Sequence, residues 1–254
     1  MMNFKRAVVA TCVCLLCVSF AAHAQNAAPS VSALTVHVKP GMNQQFEEYL
    51  KAFVAAADKT SPKLEWLSAQ SMTGSPVYVF NRAFGSWAEL GAAGPDFVAA
   101  FGAPEAKRLA GLLQASVESA STAIYRRRMD LSRPWPALEG VPDAVVHIFI
   151  TVKGNMGPQF ESFVGKVIEA TAATAPNAYW LMDEPGAGAT GYRVTVIAKS
   201  WSDLDKPEKP IPQRILEHFG QAEGQKLLAE SNGAIESIET RISRTRPDLG
   251  RQVD

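Results

Sequence analysis

The sequence is poor in the residues that carry most protein chemistry. Its cysteines, Cys12, Cys14 and Cys17, all fall in the first 24 positions. The remainder therefore has no thiol, which excludes disulfides, cysteine nucleophiles and thiolate metal sites there. Neither sign of charge dominates, with 25 basic side chains against 25 acidic ones. Phosphate backbones require a concentrated positive field, so nucleic acid is not an expected partner. A nucleophile elbow, phosphate loop, Rossmann glycine pattern and HExxH are all missing. No apolar run approaches the roughly 20 residues that cross a bilayer as a helix.

What is present begins with Lys5 and Arg6, an apolar run of 14 residues from Ala7 to Phe20, and the small-residue triplet Ala22, His23, Ala24. That is the layout of a secretory signal peptide, with cleavage expected after Ala24. Leu16 before Cys17 is too large for a lipid-attachment site. The mature chain keeps 23 basic and 25 acidic side chains over 230 residues, and a thiol-free chain suits an oxidising compartment. The expected product is a soluble periplasmic or secreted protein without a membrane span.

Self-similarity then organises the rest. A shift of 114 positions aligns Leu34 to Leu90 with Ile148 to Leu204 without a gap, at 16 identities in 57. The matches include Lys39 with Lys153, Phe46 with Phe160, Trp66 with Trp180, Tyr78 with Tyr192 and Trp87 with Trp201. After a four-residue insertion around Lys206 to Pro212 the shift becomes 118, and Phe101 to Leu131 matches Phe219 to Leu249 at 12 of 31 positions. The expected organisation is a signal peptide over 1–24, one repeat over 25–131, a linker over 132–142 and a second repeat over 143–254. Pro134, Pro136 and Pro142, which fix φ and lack N–H groups, stiffen that linker.

Within each repeat, period-two alternation marks a first strand, with Leu34, Val36 and Val38 opposite His37, and Ile148, Ile150 and Val152 opposite His147. Apolar residues three and four apart mark a following helix, Met42 to Ala57 or Met156 to Thr171, each closed by Pro62 or Pro176. Strands follow near Leu64 to Gln70 and Val77 to Arg82, and near Ala178 to Asp183 and Tyr192 to Ala198. Then come a short turn at Trp87 or Trp201, a helix from about Pro104 to Val117, and a last strand near Ser121 to Arg128. The order β-α-β-β-α-β gives an α+β, ferredoxin-like unit with both helices on one face of an antiparallel sheet.

A sheet bare on one side exposes more apolar surface than a unit of this size tolerates, so two copies are expected to pack sheet to sheet. The duplicated order, with Ser86, Trp87 and Leu90 (and Ser200, Trp201 and Leu204) after the third strand, resembles the dimeric α/β-barrel superfamily, which includes antibiotic-biosynthesis-type monooxygenases and NIPSNAP-like proteins. The resemblance implies an intrachain dimeric α/β barrel, a ligand held between sheet and helices or inside the barrel, and a cofactor-independent oxygenase if the protein is an enzyme.

The candidate ligand-binding residues are His37, His147, His218, Trp66, Trp180, Tyr78 and Tyr192. His37 and His147 lie on the face turned from the helices and are not repeat partners. Neither has a second ligand at metal spacing, so no metal and no cofactor are expected. His218, at or near the start of the second helix of copy two, gains interest because the resemblance implies a pocket-facing helix histidine, against the plainer reading of an exposed side chain. With Leu67 and Leu181 taken to face the helices, the Trp66 and Trp180 indoles face the barrel, as ligand wall or as interface filler. Tyr78 and Tyr192 line a cavity or pack the sheet. Arg126 and Arg128 alternate to one side, to hold a carboxylate substrate or to pair with surface acids. No acid–base pair is nameable from the sequence. The leading reading is therefore a module that binds a small apolar or aromatic molecule. A monooxygenase-like enzyme and a ligand-free interaction protein are the alternatives, and homo-oligomerisation stays open.

Overall fold

The computed structural model describes residues 30–61, 64–72, 74–91, 94–136, 140–205 and 209–252. The expected leader, its expected cleavage site and Pro62 lie outside them. In chain order the elements are β1 (Ser30–Val38), α1 (Asn43–Thr60), β2 (Leu67–Ser71), β3 (Val77–Phe84), α2 (Trp87–Leu90), α3 (Phe97–Phe101), α4 (Ala103–Ser116) and β4 (Val117–Arg127). After a 3-10 turn at Met129–Leu131 come β5 (Ala144–Val152), α5 (Gly157–Thr174), β6 (Leu181–Pro185), β7 (Tyr192–Ala198), α6 (Trp201–Leu204), α7 (Ile211–Phe219), α8 (Gln221–Ala234), β8 (Ile235–Thr245) and a 3-10 turn at Pro247–Leu249.

The chain divides into two compact units whose boundaries fall inside β4 and β8. One ends at Tyr125 and resumes at Ser243, and the other is Arg126–Ile242. The described residues of the expected stiff linker, 132–136 and 140–142, thus fall within the second unit. The reason is backbone pairing. Arg133 and Trp180 exchange two N–H to carbonyl bonds of 2.9 and 2.8 Å, and the Arg128 N–H donates to the Met182 carbonyl at 2.9 Å. The first unit closes in the same manner, with Trp66 and Arg251 exchanging bonds of 2.8 and 2.9 Å and β2 pairing with Ser243 to Thr245.

In the first unit β1 and β2 both run antiparallel to β3, with Leu34 opposite Phe80 and Ala69 opposite Val79. Leu34, Val36, Val38, Tyr78 and Phe80 send their side chains into one core with Phe46, Leu50 and Phe53 of α1 and Leu109 and Leu113 of α4. Each such side chain contributes roughly 1.5–3 kcal/mol by leaving water. The second unit repeats this: β5 and β6 are antiparallel to β7, and Ile150, Met182 and Tyr192 pack on Phe160, Val164 and Val167 of α5 and Ile215 of α7.

The helical region between the third and last strands is longer than the sequence pattern conveyed. α3 and α7 are separate helices, broken from α4 and α8 by Gly102 at φ +84° and Gly220 at φ +80°. Those are left-handed conformations that side-chain-bearing residues rarely adopt. β4 begins at Val117, directly off α4, because Val117 already has extended dihedrals as the helix ends.

Candidate functional site

On the helix side of the first unit, Tyr78 donates its phenol hydrogen to Glu47 Oε1 at 2.6 Å, and Arg246 grips the same carboxylate through Nη1 at 2.6 Å and Nη2 at 2.8 Å. Arg246 also binds Asp248 through Nε and Nη2. The second unit contains the matching set: Tyr192 donates to Glu161 at 2.7 Å, and Arg128 holds Glu161 and Asp130. Arg246 holds the Glu47 carboxyl below the usual glutamate range, with burial opposing, and Arg128 does the same for Glu161. Burial, joined by the hydrogen bond to Glu161, pushes the Tyr192 phenol up to about 12, and Tyr78 is raised by burial and Glu47. Both tyrosines therefore stay protonated and act as fixed donors, each tilted against a core phenylalanine, Phe46 or Phe160.

Arg126 and Arg128 do turn to one side, but carboxylates of the chain meet them there. Glu184 pairs with both. The tryptophans correct the expected facing: both indoles are on the helix side, in the cores of their units. Trp66 meets Phe53 edge-on and donates Nε1–H to the Leu249 carbonyl at 2.8 Å, and Trp180 donates to Leu131 at 3.0 Å. The isolated bridges at Trp66 and Trp180 precede β2 and β6, and alternation from there sends Leu67 and Leu181 to the other face, so the assumption made for the leucines was reversed.

The face of the second unit turned away from its helices carries a different chemistry. β5 and β7 place His147 opposite Thr195 and Phe149 opposite Arg193, while β6 and β7 place Asp183 opposite Arg193. Asp183 is fully buried and accepts from three donors: Arg127 Nε at 3.0 Å on Oδ1, and Arg193 Nε at 3.1 Å and Nη2 at 2.8 Å on Oδ2. Burial alone would raise the Asp183 carboxyl, yet the Arg193 and Arg127 guanidiniums hold it below its ordinary value. This is the requirement for a carboxylate out of water, whose desolvation is repaid only by close, well-aligned partners.

His147 lies on that face, 4% exposed, with its ring 6.1 Å from that of Phe149. Burial lowers the imidazole pKa to about 3, and the charges of Arg193 and Arg241 add to this while Asp183 opposes it. The imidazole is neutral. The other two histidines are elsewhere. His37 is half-buried on β1 of the first unit, paired in register with Val77. His218 lies near the C-terminal end of α7 rather than at the start of the following helix, and its Nε2 is 3.2 Å from Glu169 Oε1 on the exposed side of α5. Its ring meets Phe219 edge-on. The structure thus brings His147, and not His37 or His218, beside a cluster of charged groups.

Asp183, Arg193 and Arg127 were not singled out by the sequence pattern, although a signal existed. At the offsets of 114 and 118 positions they align with Ala69, Val79 and Thr245, and His147 aligns with Ala33. Asp183 and Arg193 thus stand where the aligned strand positions hold a small or an apolar residue. Among the described residues no group of three His, Cys, Asp or Glu side chains could hold a metal ion.

No protein-family model matches the sequence, and no curated protein matches it. Solved structures share its fold along most of its length. A provisionally named monooxygenase from Fusobacterium nucleatum subsp. nucleatum is 11% identical, with 87% of this chain and 93% of that one covered at a TM-score of 0.53. A chlorite dismutase variant from Candidatus Nitrospira defluvii is 8% identical, with 89% and 95% covered at a TM-score of 0.51. These are dimeric α/β-barrel proteins built on ferredoxin-like units. The chain has the same α+β, ferredoxin-like type of fold.

Proposed function

We propose that this protein binds a small, largely aromatic molecule at the face of the second unit that carries His147. The observation behind this reading is the one-sidedness of the charged cluster: Asp183, Arg193, Arg127 and His147 have Ala69, Val79, Thr245 and Ala33 as counterparts. A duplicated unit needs its packing residues twice, and the Trp66/Trp180 and Glu47/Glu161 arrangements do occur twice. A site for one asymmetric molecule is needed once. Burying Asp183 with two guanidiniums is costly, and an apolar strand pair would be as stable or more so, which favours a role beyond packing. In this proposal the two repeats descend from one duplication, and the chain is exported after loss of residues 1–24.

Ligand-observed NMR with a panel of small aromatic compounds tests the reading on mature wild-type protein and on His147→Ala. Compounds should bind the wild type and bind the variant more weakly. A panel that binds neither protein, or both alike, overturns it. Oxygenase-type turnover of such a molecule is a second reading, favoured by the fold shared with the Fusobacterium protein named as a monooxygenase. Oxygen uptake with electron-rich aromatics and no added cofactor is its measurement.

A further inference from the structure

We propose that the molecule taken by the second unit is a small aromatic carboxylate, and that the imidazole of His147 donates a hydrogen bond to its carboxylate group. This rests on the reading of that face as a binding site. His147 is more than nine-tenths buried, no described residue makes a hydrogen bond with either of its ring nitrogens, and the Phe149 ring lies 6.1 Å from its own. A neutral imidazole has one N–H donor and one acceptor nitrogen, and both are left to a bound molecule.

The charges around the imidazole select the sign of that molecule. Arg193 of β7 lies diagonally across from His147, Arg241 of β8 sits with its guanidinium 4.8 Å from the Phe149 ring centre, and Arg127 of β4 closes on Asp183. Of the acidic groups on β4, β6 and β8, Asp183, held between Arg127 and Arg193, and Glu239, paired with Arg241, share the strand parity of these arginines, while Glu118, Glu184 and Glu236 alternate to the other face. A field that opposes a positive charge on the imidazole favours a negative one on a bound molecule beside it. The aromatic part follows from the neighbours along β5, where the His147 and Phe149 rings stand two residues apart on one face and offer a flat apolar contact.

The test compares benzoate with benzyl alcohol, which keeps the ring and loses the charge, on the mature protein by titration calorimetry and by NMR of the His147 Hε1 resonance. Benzoate should shift that resonance, and its affinity should fall about tenfold in His147→Ala. Binding should be partly restored in His147→Gln, whose side-chain amide still donates. Benzyl alcohol binding as tightly as benzoate overturns the carboxylate class while leaving the binding face in place. Benzoate binding that neither shifts His147 nor weakens in His147→Ala overturns the assignment of the contact. Failure of benzoate to bind the wild type overturns the class, and the aromatic panel then decides separately whether the face binds anything. If His147→Ala does not fold, His147→Gln and the wild-type resonance shift still decide.

Discussion

Arg246 closes on Glu47 across 199 positions of sequence, Nη1 to Oε1 at 2.6 Å and Nη2 to Oε2 at 2.8 Å. Both belong to the first compact unit, although Arg246 comes after the whole of the second unit in the chain. The two-pronged geometry makes this a strong pair, and both side chains are largely withdrawn from water. It ties the segment after β8 to α1, and the matching Arg128 to Glu161 pair ties the segment after β4 to α5.

Arg246→Met should therefore destabilise the protein by about 1–3 kcal/mol in urea unfolding, since it strands a partly buried carboxylate with Tyr78 as its remaining donor. Because Glu47 has its pKa lowered in the folded state, the stability it contributes is present above about pH 4.5 and lost as pH falls through the folded value. Glu47→Gln should accordingly lose less stability than the wild type on going from pH 5 to pH 3.

His147 gives a pH dependence from a different cause. Its pKa is lowered to about 3 from an ordinary 6.5, so the unfolded chain binds the extra proton first and stability falls as pH drops from 6.5 towards 3. A shift of that size is worth a few kcal/mol over the window. Thermal melts of His147→Gln and wild type should agree near pH 8 to within the cost of the substitution, and the variant should retain more stability at pH 4. Parallel curves for the two proteins would contradict a buried neutral imidazole.

Trp66 should behave as a core residue and not as part of a ligand wall. Trp66→Phe removes the hydrogen bond to the Leu249 carbonyl and should cost about 1 kcal/mol, while Trp66→Ala should cost about 3–5 kcal/mol. Binding of an aromatic probe, measured where the variant remains folded, should match the wild type. A variant that loses binding at unchanged stability would return the indole to the site.

Export is checked directly. Intact mass of protein recovered from the periplasm or medium of a producing cell should correspond to a chain beginning at Gln25. Retention of residues 1–24, or a lipid on Cys17, would contradict it.

Local order was legible in the sequence because it is written in local spacing. Alternation at Leu34, Val36 and Val38 fixed β1 and its core face, the three-and-four spacing of Phe46, Leu50 and Phe53 fixed α1, and the 114-residue offset placed Trp180, Tyr192 and Glu161 as counterparts of Trp66, Tyr78 and Glu47. Even His147 was placed on the correct face by counting along β5. Contacts between distant segments were not legible. Nothing local tells Arg246 that its carboxylate lies on α1, tells Arg133 that it will pair with Trp180, or shows that β4 and β8 each run on past the end of their own unit. The facing of Trp66 was misjudged because Leu67 was taken to face the helices, and which parity of a strand faces the core is decided only by its packing and by a register fixed by a partner. The buried Asp183 cluster was hidden for the same reason. A lone aspartate and a lone arginine on separate strands read as surface residues until the register sets Asp183 opposite Arg193 and brings Arg127 to its other oxygen, and only that arrangement makes a charge tolerable away from water.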